Sequence, residues 1–155
     1  MTAIEAAKRS VEEYEKALAL GNNSVLLSIA ESARLANMTD TAIDYAQRSI
    51  ANGDADYVHG GNSTLGLIAV SKGDVANAKK YLLASGSVSG SPVLGSFGPG
   101  MALANDLLIK GERETVIAYL EACLKFWKSG EDRLKEWISA IKAGGTPQLR
   151  SSTGN

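Results

Sequence analysis

The chain has 155 residues, a length that fits one domain whose core can be stable without a disulfide or a metal ion. Its 16 basic and 17 acidic residues give a formal charge of −1, which argues against the broad basic face that binding to duplex nucleic acid requires. Cys123 is the only cysteine, and no apolar stretch approaches the roughly 20 residues of a membrane-spanning helix, so we expect a cytoplasmic protein without nucleic-acid or membrane partners.

Helical spacing of apolar residues predicts about eight helices and no strand. The first, 2–20, opens with a T-x-x-E capping box formed by Thr2 and Glu5. The next four begin near residues 24, 39, 56 and 74. After a long connection, three more begin near 99, 112 and 131, with Pro99 in the first turn of the earliest of these. The fourth helix contains Gly60, Gly61 and Gly66, which are tolerable in a helix where neighbouring backbones pack closely.

The long connection reads "SGSVSGSPVLGSFGPG" over residues 85–100. It is not a phosphate-binding loop, because it lacks the P-loop pattern and no lysine or arginine lies between residues 81 and 101. Its apolar residues favour an ordered connection in which Val93, Leu94 and Phe97 pack against the helices. The alternative is a surface loop that contacts a partner.

Three segments, "NMTDTAIDYA", "GDVANAKKYL" and "GERETVIAYL", share a turn residue, a polar cap and a tyrosine. The tyrosines are at positions 45, 81 and 119, and are therefore 36 and 38 residues apart. Upstream of each turn, a large apolar residue precedes a small one. These pairs are Ile29–Ala30, Leu65–Gly66 and Leu103–Ala104.

On these residues the chain resembles the tetratricopeptide repeat (TPR) family, and 91–127 looks like uncharacterised bacterial stand-alone members of that family. The resemblance implies an all-α fold of stacked antiparallel helix pairs, a TPR-like α-solenoid, in one domain over 1–145. The repeats would span about 24–52, 56–85 and 99–128, with helices 2–20 and 131–142 capping the two ends. Residues 146–155 are predicted to form a flexible tail.

Residues for catalysis or metal binding are few. His59, the only histidine, is more simply a polar residue at a helix start than a general acid or base, since no nucleophile lies at a recognisable spacing. Cys123 has apolar neighbours and is expected to be a buried small side chain. We therefore expect no enzyme activity, no metal and no cofactor.

The resemblance implies binding of a peptide or partner protein in a concave groove lined by the first helix of each repeat. An enzyme or small-molecule site in that groove, and homodimerisation through it, remain alternatives. So does a bacterial immunity-type inhibitor that masks the surface of a toxin or enzyme. The positions that match the groove of the family are Leu27, Glu31, Arg34, Ser63, Leu67, Val70, Met101, Asn105 and Leu108.

Overall fold

A computed structural model describes residues 1–150 of the chain. This part contains nine α-helices, two short 3₁₀ turns and no β-strand, which confirms the predicted all-α class. No helix in it is both long and apolar enough to cross a bilayer. The helices are α1 (Ala3–Ala19), α2 (Leu26–Leu35), α3 (Thr39–Asn52), α4 (Ala55–Ser71), α5 (Val75–Gly86), α6 (Pro92–Phe97), α7 (Ala102–Ile109), α8 (Arg113–Cys123) and α9 (Glu131–Lys142). The 3₁₀ turns are Asn23–Val25 and Lys128–Gly130.

The helix ends follow local sequence signals. Thr2 and Glu5 form the predicted capping box, with N···O distances of 3.0 and 3.1 Å. Asn37, Gly73 and Gly111 end α2, α4 and α7 with φ values of 61°, 75° and 87°. All three turns have the hydrogen bonds of a Schellman motif, in which the N–H after the left-handed residue donates to a carbonyl five residues back. These bonds join Met38 to Ala33 at 2.8 Å, Asp74 to Ala69 at 2.9 Å, and Glu112 to Leu107 at 2.9 Å.

The helices pack mainly against their neighbours along the chain. Each of α1 to α4 contacts the helix that follows it, as do α7 and α8. In addition, α2 contacts α4, α4 contacts α7, and α5 contacts α8. Gly66 permits the close approach of α4 to α7, because a Cβ at this position would lie 2.2 Å from Cδ2 of Leu103.

Two apolar clusters form the core. One joins α1 to α4 and contains Val11, Ile29 and Ile68, whereas the other extends from the end of α4 to α9 and contains Leu82, Leu120 and Trp137. Tyr81 is half-buried and packs against both clusters. The core is therefore continuous through α4 and α5.

The 85–100 connection is ordered and contains the ninth helix, α6. Leu94 is buried as predicted, but the prediction that Val93 and Phe97 pack inward is wrong, since they are 53% and 55% exposed. A six-residue helix has one inward face, and Leu94 occupies it, whereas Val93 and Phe97 lie four residues apart on the outer face. The prediction that Pro99 lies in the first turn of a helix is wrong as well, because α7 begins at Ala102 and Pro99 precedes it.

The connection is fixed in place by Trp127, a fully buried side chain after α8. Its indole lies between two glycines. A Cβ on Gly98 would lie 2.7 Å from Cε2 of the indole, and one on Gly130 would lie 2.3 Å from Cδ2. Both distances are too short for any side chain, so the close packing around Trp127 requires glycine at positions 98 and 130.

Candidate functional site

The predicted groove positions lie largely together. Six of the nine line one cavity of about 640 Å³ between α2, α4 and α7, which we call the inner groove. These six are Glu31, Arg34, Ser63, Leu67, Met101 and Asn105.

The other three predicted positions lie elsewhere. Leu108 is buried and lines a neighbouring cavity of about 260 Å³, which Asn105 also borders. Leu27 packs against Gly60, and Val70 packs against the second core cluster. Met101, although it lines the inner groove, is fully buried and belongs to its floor. The accessible polar side chains that the helices contribute to the groove are therefore Glu31, Arg34, Ser63 and Asn105.

The chain's own C-terminal segment lies in this groove. Residues 146–150 have no helix or strand, yet Leu149 is fully buried and Gln148, Leu149 and Arg150 line the same cavity. For residues 146–150 the structure thus differs from the predicted flexible tail, because the apolar side chain of Leu149 is removed from water and its backbone is hydrogen-bonded. Residues 151–155 lie outside the described part of the chain.

Asn105 on α7 holds this segment through both main-chain groups of one residue. Its Nδ2 donates to the carbonyl oxygen of Leu149 at 2.7 Å, and the N–H of Leu149 donates to its Oδ1 at 2.9 Å. This pair of hydrogen bonds recognises main-chain groups only, whereas the buried side chain of Leu149 supplies the apolar contact. The arrangement is suited to an extended peptide segment.

The groove also has an unsatisfied donor and an apolar rim. Within residues 1–150, the buried Nε of Arg34 has no hydrogen-bond partner. Leu35, beside it, is 59% exposed, and Ile109, which borders the neighbouring cavity, is 76% exposed. Leu149 stands alone in a segment without other large apolar residues, so no sequence signal indicates its burial.

His59 lies behind the groove as a structural side chain. Its Nδ1 is 2.9 Å from the carbonyl oxygen of Ser85, and the N–H of Gly100 donates to its Nε2 at 2.9 Å. A carbonyl only accepts and an N–H only donates, so the ring is neutral with its proton on Nδ1. Tyr119 donates to the carbonyl oxygen of Gly100 at 2.6 Å. Both ring nitrogens of His59 are thus engaged, which leaves neither free for acid–base chemistry.

Burial lowers the pKa of His59 from 6.5, although the hydrogen bond to Ser85 and the charge of Asp56 act in the opposite direction. Below pH 6.5 the unfolded chain therefore binds a proton that the folded chain does not. We expect the free energy of unfolding to be at its full value above about pH 6.5 and to decrease as pH falls toward the folded-state pKa. Urea unfolding between pH 5 and 8 would measure this slope.

His59→Gln is the control for this prediction, since it removes the only histidine of the chain. The variant should be less stable throughout and should lose the slope between pH 5 and 6.5. An equal slope in both proteins would show that another group causes it.

Cys123 is fully buried, and burial raises the pKa of its thiol to about 12. Such a thiol is almost entirely protonated at neutral pH and is a poor nucleophile. Within residues 1–150, no group of three or more His, Cys, Asp or Glu side chains is arranged to hold a metal ion.

Comparison of the chain with protein-family models, curated proteins and solved structures finds no match.

Proposed function

We propose that this protein is a non-catalytic interaction module that binds an extended segment of a partner protein in the inner groove. The observation that carries the proposal is the hydrogen-bond pair between Asn105 and the backbone of Leu149. A side chain that satisfies both main-chain groups of one residue can hold any extended peptide, whatever its side chains are. The cytoplasmic location expected from the single cysteine is part of this proposal.

We also propose that the helices form a TPR-like solenoid. Three features support this arrangement: the equivalent Schellman turns after α2, α4 and α7, the contacts of α4 with both α2 and α7, and the close approach at Gly66. In such a stack the first helix of each pair lines one common surface. Glu31, Ser63 and Asn105 stand on three successive first helices of this kind.

The surroundings of the groove favour a protein partner over a small molecule. The cavity is an open surface groove that leaves Leu35 59% exposed. Exposed large apolar side chains beside a polar groove are typical of protein interaction sites. The unpaired Nε of Arg34 would gain an acceptor from a peptide carbonyl or carboxylate.

Leu67→Glu tests the proposal. Leu67 is half-buried on α4 and lines the inner groove. A carboxylate there would be desolvated by a bound partner, so we expect the affinity to fall at least tenfold, about 1.4 kcal/mol, with helical content preserved. The measurement is affinity capture of partners from the native cell, followed by titration of the captured protein and by circular dichroism of the variant.

Leu20→Glu is the matched control, because Leu20 is 89% exposed and does not line the groove. It should retain the same partner as the original protein. If Leu67→Glu keeps its helices and still binds with full affinity, the partner uses another face, as an immunity-type inhibitor would. If it does not fold, Leu67 belongs to the core and the proposed groove register is wrong.

A further inference from the structure

We propose that residues 146–150 act as an intramolecular ligand that competes with the partner, and that the partner segment is extended and carries a large aliphatic residue where Leu149 now lies. This inference rests on the proposed function, because it names the ligand class and the regulation of the same groove.

The first argument is that the segment is bound as a separate peptide would be. Of its five residues, only Leu149 is fully buried, Pro147 is half-buried, and Thr146, Gln148 and Arg150 are exposed. One anchor side chain and one backbone contact therefore account for most of its attachment. This is the pattern of a peptide with a single dominant anchor.

The second argument is that the end of α9, up to Gly145, and the segment after it are held by different hydrogen bonds. Arg113 on α8 donates through Nη2 to the carbonyl oxygens of Ile141 and Gly145, which fixes the end of α9 and the following turn. Beyond Gly145, the described hydrogen bonds of the segment are those of Leu149 with Asn105 and a long 3.3 Å bond from Arg133 to the carbonyl oxygen of Arg150. Release of the segment would break these three hydrogen bonds and would leave both bonds of Arg113 to the end of α9 and the following turn in place.

The third argument is that the segment occupies only part of the groove. With the segment in place, a cavity of about 640 Å³ remains, which residues 148–150 line together with Glu31, Arg34 and Ser63. A longer segment that pairs with Asn105 and places an aliphatic side chain in the Leu149 pocket would also reach Arg34. It would gain contacts that the five residues of the chain's own segment do not make.

The experiment uses the full chain with Leu149→Ser, which removes the anchor and frees the groove. The probe is a fluorescent, end-capped peptide with the sequence of residues 145–150, GTPQLR, and binding is followed by anisotropy. We expect the peptide to bind the variant at least tenfold more tightly than the original protein, in which the intact segment competes. A peptide with aspartate in place of leucine, and the double variant Leu149→Ser/Asn105→Ala, should show no binding.

Hydrogen exchange on the unaltered protein tests the same inference without a variant. If the segment is released locally, the N–H of Leu149 should exchange at least 100-fold faster than the slowest amides of α7 and α8. Exchange of Leu149 only at the rate of those amides would mean that the segment is a permanent part of the core, and would overturn the inference.

Equal peptide affinity for both proteins, or no affinity for a folded Leu149→Ser variant, would also overturn it. Neither result would affect the proposed function if Leu67→Glu still abolished capture of a partner. Loss of the Leu67 effect, with peptide binding retained, would instead overturn the proposed function and the competition with a partner, and would leave residues 146–150 as an intramolecular ligand only.

Discussion

Gly130→Ala is expected to lower the free energy of unfolding by about 3 kcal/mol, which is at the upper end of the usual cost of overpacking. The new Cβ would lie 2.3 to 2.5 Å from three atoms of the Trp127 indole. The ring is rigid and fully buried, and Gly98 also lies close to it, so it has little room to move. Gly130 lies in a 3₁₀ turn rather than in an α-helix, so no gain in helix propensity compensates. Chemical denaturation followed by tryptophan fluorescence would measure the loss.

Gly95→Ala is the matched control for this prediction. A Cβ on Gly95 would lie 3.5 Å from the carbonyl oxygen of Phe126, which is an ordinary contact. Because Gly95 lies in α6, alanine there should leave the free energy of unfolding unchanged or raise it by up to about 1 kcal/mol through helix propensity. Equal effects of the two alanines would contradict a close fit around Trp127.

Gly61→Val is expected to cost about 4 kcal/mol, beyond the usual range of overpacking, because backbone blocks the new side chain. A Cβ on Gly61 would lie 2.7 Å from the carbonyl oxygen of Ala46 and 2.7 Å from Cγ1 of Ile50, both on α3. That carbonyl takes part in the hydrogen bonding of α3 and cannot rotate away. The two helices would have to separate, which opens the first apolar cluster. Thermal and urea unfolding would show the effect.

Ser63→Val places the same side chain on the half-exposed side of the same helix and should change stability by less than about 0.5 kcal/mol. This control separates the steric effect at Gly61 from the modest helix propensity of valine. A small loss at Gly61 would mean that α3 and α4 can separate at low cost.

Features set by neighbouring residues could be predicted from the sequence. The capping box of Thr2 and Glu5, and the turns at Asn37, Gly73 and Gly111, depend on contacts within about six residues, so their sequence signals are sufficient. The sequence also predicts Gly60, Gly61 and Gly66 inside the fourth helix, and α4 is continuous through all three. α6 was missed because six residues are too few to show a helical period.

The candidate site could be predicted only in part. The resemblance to the TPR family implied Glu31, Arg34, Ser63 and Leu67 as groove positions, and all four line the inner groove. Matching positions do not reveal depth: Met101 lines the inner groove but is fully buried, and Leu108 is buried and lines the neighbouring cavity instead.

Contacts between distant parts of the chain left no sequence signal. Leu149 pairs with a side chain 44 residues away, and the two partners of His59 lie 26 and 41 residues from it. A single leucine in a polar segment has no periodicity that would predict burial. These contacts depend on the arrangement of helices that the local signals do not determine.

The predominance of contacts between consecutive helices has a kinetic consequence. Chains whose contacts are near in sequence form them quickly, since little loop entropy is lost before each contact. The first apolar cluster draws its buried residues from Val11 to Ile68, so it can assemble while the second half is still being synthesised. Leu149 is synthesised after all nine described helices, so its docking against Asn105 follows the formation of α7.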